Sequence, residues 1–286
     1  MNEYRIFTDS ACDISAALLR LWGVKFCSLS FAFDGENRIY DNYELPAPVF
    51  YQFMRDGKTA KTSATNPDTF AYAFEQELKK GRDVLYIGVS SPLSATYNSA
   101  RIAAEELMEK YPDRKIITVD SLGASAGMGM LVYLTVQQKK AGASLEEAAA
   151  FAEATKSRIC HWFTTDTLTY LHRGGRLNAA AALFGNALNL RPILHVSDEG
   201  LLVNMAKVRG RKATIRTLAD KAIKYAVDGS PIFISHADCE EDAITLAQMI
   251  RDARGLKTEV ITDVGPVIGA HAGPGTLALF FIGNER

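Results

Sequence analysis

Short β-rich runs and helical stretches alternate through the first half of this chain, and that order constrains the fold more than any other feature. "YRIFTDS" is followed by "ISAALLRLWG", "VKFCSLSFAF" by "PDTFAYAFEQELKKG", "DVLYIGVS" by "LSATYNSARIAAEELMEKYP", and "KIITVDS" by "AGMGMLVYLTVQQKKAG". Such a succession predicts an α/β fold in which helices cover a parallel sheet. Helix punctuation agrees: Asn66-Pro67 is a cap followed by proline at the first helical position, Gly81 stops that helix, and Ser144-Leu145-Glu146-Glu147 fits a capping box.

The character changes after "SLEEAAAFAEATKSR". "RPILHVSDEGLLVNMAKVRG" reads as two strands joined by a tight turn at Asp198-Glu199-Gly200, an antiparallel element. "PIFISHAD" with "EEDAITLAQMIRDARG", then "KTEVITDVG" and "LALFFIG", add further β/α pieces. We therefore expect two α/β domains, residues 1–158 with a parallel sheet flanked by helices and residues 159–286 with a mixed sheet. No Gly/Ser-rich linker or repeat separates them, so they should pack along a shared cleft.

With 286 residues, 48% hydrophobic and 23% charged, the chain has the balance of a soluble globular protein. A formal net charge of -1 gives no global excess of cations for a phosphate backbone or an anionic membrane, so nucleic acid is a poor guess. The start, "MNEYRIFTDS", lacks a basic segment followed by an apolar one, and no run reaches the length of a membrane span, which places the protein in the cytoplasm as an expectation. Cys12, Cys27, Cys160 and Cys239 have no C-x-x-C spacing and read as reduced thiols.

In open parallel sheets, ligands collect beyond the carboxyl ends of strands. Hydroxyl groups concentrate there: Thr8 to Ser10, "SSPLSATY" at 90 to 97, "DSLGAS" at 120 to 125, and Thr62-Ser63 just before a helix. Any one of these residues is explained by capping a helix or filling a turn. Four such loops on one sheet edge instead point to neutral donors around a carboxylate or phosphate oxygen pair, not a metal. Gly88-Val89-Ser90-Ser91-Pro92 has proline where a nucleophile elbow needs glycine, no phosphate-binding G-x-x-x-x-G-K-[ST] exists, and "GMGM" lacks the rest of a dinucleotide fingerprint. His161, His172, His195, His236 and His271 never stand at metal-ligand spacing, and His161 and His195 read as packed within or beside strands. "GPVIGAHAGPGTLALFF" at 265 to 281 reads as a glycine-rich turn whose His271 either caps the reversal or meets a ligand.

Taken in order, "TDSACDI", "TSATNP", "GVSSPLSATYNSA", "VDSLGASAGMG", "YLHRGGRLN", "LNLRPILHVSDEGLL", "KVRGRK" and "GAHAGPGTLALFFIG" resemble the DegV family of bacterial fatty-acid-binding proteins across nearly the whole chain. The resemblance implies two α/β domains holding a long-chain fatty acid with its carboxyl near their interface, no cofactor and no metal. It also implies a separate fatty acid kinase, to which this non-catalytic subunit presents the carboxylate for acyl phosphate formation. Thr62, Ser94 and His271 fall at the carboxylate positions, with Ser10, Ser63, Ser125, Gly269 and Gly273 as supporting loop residues. The glycines would let backbone pass close to the ligand.

By the same resemblance, Arg173 and Arg176 of "HRGGR" and Arg209 of "KVRGRK" fall where the family docks its kinase and places the carboxyl group for phosphoryl transfer; Lys207 and Arg211 belong to the same two motifs. Thr62-Ser63-Ala64-Thr65-Asn66 replaces the family's Thr-Ser-Gln-Pro-Ser, and Ala95 replaces a glycine, which bears on loop shape and acyl preference. The alternatives are a stand-alone enzyme related to dihydroxyacetone kinase domains using His271, and a lipid-responsive regulatory protein. "AAAALFGNALNL" and "LALFFIG" serve equally as tunnel wall or plain core.

Overall fold

Strands β1 (Tyr4–Asp9), β2 (Lys25–Cys27), β6 (Asp83–Gly88) and β7 (Ile116–Asp120) form an all-parallel sheet in the order β2-β1-β6-β7. The computed structural model describes residues 3–177, 189–284 and 286. All six residues of β6 are buried, the continuous apolar run required of a central strand covered on both faces. Helices α3 (Pro67–Leu78) and α4 (Thr96–Lys110) cover one face, where Phe70, Phe74 and Ala100 meet Phe7 and Tyr86. On the other face lie α5 (Ser125–Lys140) and α6 (Leu145–Lys156), the latter opened by a complete Ser144/Glu147 capping box.

"AGMGMLVYLTV" is apolar on every side because α5 is buried on every side: it packs against β6 and also against strands of a second sheet. That sheet is mixed and six-stranded, in the order β10-β9-β8-β13-β11-β12. Its members are β8 (Ile159–Thr164), β9 (Leu190–Val196), β10 (Leu202–Arg209), β11 (Ile232–His236), β12 (Thr258–Asp263) and β13 (Leu277–Ile282). Only β11 and β12 run parallel. Helices α8 (Arg211–Tyr225) and α9 (Glu240–Arg254) cover its outer face through Leu218, Ala222, Leu246 and Ile250. The β9-β10 hairpin turns at Asp198-Glu199-Gly200 as expected, and its tip docks on the other sheet's loops, where Ser90 Oγ donates to Gly200 O at 2.8 Å.

Three features depart from the sequence reading. The run 24–33 is two strands: β2 stays in the parallel sheet, while β3 (Ser30–Phe33) joins β4 (Tyr40–Asp41) and β5 (Ala60–Ser63) in a small antiparallel sheet. Polar pins turn the chain between them, since Leu29 N–H donates to Ser10 Oγ (2.9 Å) and Thr65 Oγ1 donates to Ser28 O (3.0 Å). The proline-containing stretch after β4 forms α2 (Ala47–Arg55), whose buried Phe50, Tyr51 and Met54 make one face, and Phe50 packs on Phe31 and Phe33. Finally, "PVIGAHA" is not a turn but a helix, α10 (Pro266–Ala272), after α7 (Thr169–Arg173) in chain order. The run "AAAALFGNALNL" lies mostly outside the described residues.

A buried polar clamp fixes α10. Asp13, left-handed at φ +50°, accepts from Ser125 Oγ (2.5 Å) and from Gly265 N (2.9 Å). Asn42 donates to Ser10 O and accepts from Val267 N (2.8 Å), taking one of the unpaired N–H groups at the helix start. Tyr51 Oη donates to Val264 O at 2.6 Å. Asp9 plays the parallel role one turn earlier, accepting from Tyr86 Oη, Val89 N and Ala11 N. Thus "TDSACD" is a structural fastener joining residues distant in the chain.

Burial pushes the Asp13 carboxyl up to about 8 and that of Asp9 up to about 6, in each case against the opposing pull of their hydrogen bonds. Folded Asp13 keeps its proton through a range where the unfolded chain has lost it, so its contribution to stability declines as pH rises from about 4 to about 8. Buried His161, His195 and His271, pushed down by desolvation, act in the opposite sense below about 6.5. The window from pH 6.5 to 8 therefore isolates Asp13. Urea unfolding of ligand-free protein should lose up to about 2 kcal/mol across it, and Asp13→Asn should flatten the slope; a wild-type slope of zero contradicts the assignment.

Candidate carboxylate site

A cavity of about 230 Å³ lies between the two large sheets. Val89, Leu93 and Ala124 approach it from the first sheet's loops, Phe163, Ala278 and Phe280 from the second sheet, and Val267 and Ile268 from α10. Its wall is largely aliphatic and aromatic.

Polar groups gather at one place. Thr62 at the end of β5 and His271 in the last turn of α10 are joined, Oγ1 to Nε2, at 2.8 Å. Residues 209 apart meet because α10 packs against β5, an arrangement the clamp enforces. Gly174 lies against the other edge of the imidazole, where a Cβ would fall 2.1 Å from Nδ1. Two residues on, Arg176 donates from Nη1 to Gly174 O (2.6 Å) and from Nε to Leu93 O (3.0 Å), which brings the guanidinium beside Ser94. Ser94 Oγ is 2.9 Å from Thr96 Oγ1 and accepts from Thr96 N at the start of α4. Thr62, Ser94, Arg176 and His271 all line the cavity and are half-buried.

Burial pushes the His271 imidazole down to about 4, and the positive charge of Arg176 adds to the effect, so His271 is neutral at pH 7. Among the described residues no carboxylate pairs with Arg176, whose own proton affinity burial lowers. The group therefore offers neutral donors and one positive charge, a match for a single carboxylate. No set of His, Cys, Asp and Glu among the described residues is arranged to hold a metal ion.

The supporting residues separate. Ser125 lines the cavity, but its hydroxyl is engaged by Asp13 and by Ser235 Oγ at 2.8 Å. Ser10 is buried in the clamp and Ser63 is exposed on β5; neither lines the cavity. Gly269 and Gly273 do not clear a path for ligand: a Cβ would lie 2.4 Å from Tyr51 Oη at the first and 2.3 Å from the Tyr170 ring at the second, so both make room for aromatic packing.

Arg176, expected among the arginines that dock a kinase and place the carboxyl group, lines the cavity. Arg173 is exposed over the Tyr170 ring and Arg209 is exposed on the edge strand β10, whereas Arg211 is tied to Asp242 and Gly275 O. The reading by residue type did not place His161, a buried imidazole, in the cavity wall. The glycine pair of "HRGGR" was the available signal for Arg176, because Gly174 is where backbone meets His271.

The model of the DegV family matches residues 3–284. This chain belongs to the DegV family. A DegV domain-containing protein of Clostridium perfringens is 43% identical over 100% of this chain and 99% of its own length. Among solved structures, a stearic acid-binding protein from Eubacterium ventriosum superposes with a TM-score of 0.89 at 26% identity, covering 98% of each chain. A DegV family protein from Thermus thermophilus described for fatty acid binding gives 0.86 at 30% identity over 99% of this chain and 100% of the other. DegV of Bacillus subtilis, a fatty acid binding protein, gives 0.84 at 26% identity with the same coverage. No helix among the described residues is long and apolar enough to cross a membrane.

His271 in ligand-free protein should titrate by NMR with a midpoint near 4, and Arg176→Met should raise that midpoint by removing the adjacent positive charge. A midpoint near 6.5 would mean an imidazole open to water.

Proposed function

We propose that this protein binds one long-chain fatty acid, holding the carboxylate with Thr62, Ser94, His271 and Arg176 and the acyl chain in the apolar cavity, and presents the carboxylate to a separate ATP-dependent kinase. The observation that carries the reading is the pole of the cavity: one cation without a carboxylate partner among the described residues, beside neutral hydrogen-bond donors, at the edge of an otherwise apolar space. The fatty acid-binding structures to which the chain is similar support it. In this reading residues 1–158 and 159–286 act as two domains that close on the ligand.

Magnitudes favour a carrier. A dozen buried methylenes at about 0.8 kcal/mol each supply on the order of 10 kcal/mol before ordering costs, and an unpaired buried carboxylate would cancel several of these. Hydrogen bonds from Thr62, Ser94 and His271, with the charge of Arg176, prevent that loss. For phosphoryl transfer, a carboxylate oxygen attacks the γ-phosphorus of ATP held by the partner, the bond to the bridging oxygen breaks, and ADP leaves. The carrier's part is to hold that oxygen in place and to dock through exposed Arg173 and Arg209.

A two-armed experiment tests both halves. Mass analysis of ligand extracted from purified protein, with palmitate and oleate titrations, should reveal one fatty acid per chain, and His271→Ala or Ser94→Ala should weaken it by roughly 1 to 3 kcal/mol. With a reconstituted fatty acid kinase, Arg173→Ala and Arg209→Ala should retain the ligand and lose acyl phosphate formation. Empty protein that refuses both fatty acids sinks the binding role; normal phosphorylation by both arginine variants sinks the docking role.

A further inference from the structure

Pro92 breaks the nucleophile-elbow pattern at Ser90, but the pattern is complete in the next loop of the same sheet, where Gly123-Ala124-Ser125-Ala126-Gly127 reads G-x-S-x-G. It stands where such a motif belongs, after strand β7 and at the opening of helix α5, whose first residue is Ser125. Ser125 is left-handed at φ +55°, a strained backbone that a residue other than glycine keeps only where its surroundings impose it. Packing requires both glycines, since a Cβ at either would lie 2.4 Å from Cε1 of His161.

Ser125 lines the cavity beside Ala124, Val264 and Ala278. Its Oγ donates to Asp13 Oδ2 at 2.5 Å, and with that proton committed the 2.8 Å contact with Ser235 Oγ is a bond accepted from Ser235. A hydroxyl oxygen has two lone pairs, so one remains for attack. Gly265 N holds the other oxygen of the buried Asp13 carboxyl at 2.9 Å, which fixes Oδ2 against the serine. No side chain caps α5, and the N–H groups of Ala126 and Gly127 have no partner within their own helix. Ala126 follows the serine directly, the position that supplies an oxyanion donor in an elbow.

We propose that the cavity also hydrolyses carboxylic esters with an apolar acyl chain, with Ser125 as nucleophile and Asp13 as its base. Ser125 Oγ bonds to the ester carbonyl carbon while Asp13 takes its proton, and the N–H groups of Ala126 and Gly127 meet the oxyanion. The bond from that carbon to the alcohol oxygen breaks, the alcohol leaves with the proton returned by Asp13, and the acyl group stays on Ser125. Water then attacks this acyl-serine, again through Asp13, which frees the serine and leaves a fatty acid in the cavity. The acyl class rests on the fatty acid reading, and the product is the ligand that reading assigns to the same space.

Asp13 serves as base only when ionised. Burial pushes its carboxyl up to about 8, the negative charges of Asp263 and Asp9 add to the rise, and Cys12, Tyr43 and Tyr51 are the other titratable groups coupled to it. Hydrolysis should therefore increase as pH rises through about 8 and level off above it.

Release of p-nitrophenol from its butyrate, octanoate and palmitate esters by the full chain tests the proposal, together with labelling by an alkyl fluorophosphonate. At about pH 9 the wild type should exceed Ser125→Gly by about 100-fold on at least one ester, and Asp13→Asn should lose a similar factor. Glycine suits the left-handed backbone, so its loss of rate reports the hydroxyl and not the fold. Peptide mass analysis should find the phosphonate on Ser125. If the wild type hydrolyses none of the esters, if Ser125→Gly retains the rate, or if the label is absent from Ser125, the proposal is overturned, while palmitate binding measured on the same protein still stands or falls by itself. Should a variant not fold, hydrolysis and labelling of the wild-type chain decide the matter.

Discussion

The carboxyl group of Asp13 is the interaction on which the rest depends. It is buried, and it ties the loop after the first strand to the start of α5 through Ser125 and to the start of α10 through Gly265 N. Asn42 and Tyr51 complete the hold on α10. Desolvating a carboxyl is expensive, which explains why its pKa rises and why two donors converge on it. What the arrangement achieves is position: a seven-residue helix, too short to be stable alone, is held so that its last turn places His271 against Thr62.

The cavity inverts that chemistry. Where the clamp surrounds a protein carboxyl with neutral donors, the pole of the cavity gathers neutral donors and the guanidinium of Arg176 with no carboxyl partner among the described residues. Desolvation keeps His271 uncharged, so the pole carries one positive charge and not two. That stoichiometry suits a monoanion at the head of an apolar chain.

Much of this was legible in the residues. "DVLYIGV" and "KIITV" read as strands of a parallel sheet because helical stretches follow them, β6 being continuously apolar because it is covered on both faces, and the Asp198-Glu199-Gly200 turn gave away the hairpin. Periodicity could not show that "VKFCSLSFAF" changes sheets midway, because both halves alternate alike and the turn is made by side chains from Ser10 and Thr65. The α2 and α10 helices were hidden by prolines and glycines that usually mark turns; Pro266 starts a helix, and Gly269 is there because Tyr51 leaves no room for a Cβ. Thr62, Ser94 and His271 came from family resemblance, since hydroxyls near helix starts are explained as well by capping. That Arg176 lines the cavity was not legible by residue type, because an arginine among glycines looks like solvated surface until the backbone of Gly174 is seen against His271.

The charge of the ligand head group is the most direct point of contact with experiment. Calorimetric titration at pH 7 with palmitate and with its methyl ester compares ligands of nearly equal apolar surface that differ in the negative charge. A pole built from Thr62, Ser94, Arg176 and His271 predicts that the ester binds on the order of 10- to 100-fold more weakly, the worth of hydrogen bonds to a charged group. Equal affinity for the two would show that the cavity reads only the hydrocarbon and would contradict the carboxylate site.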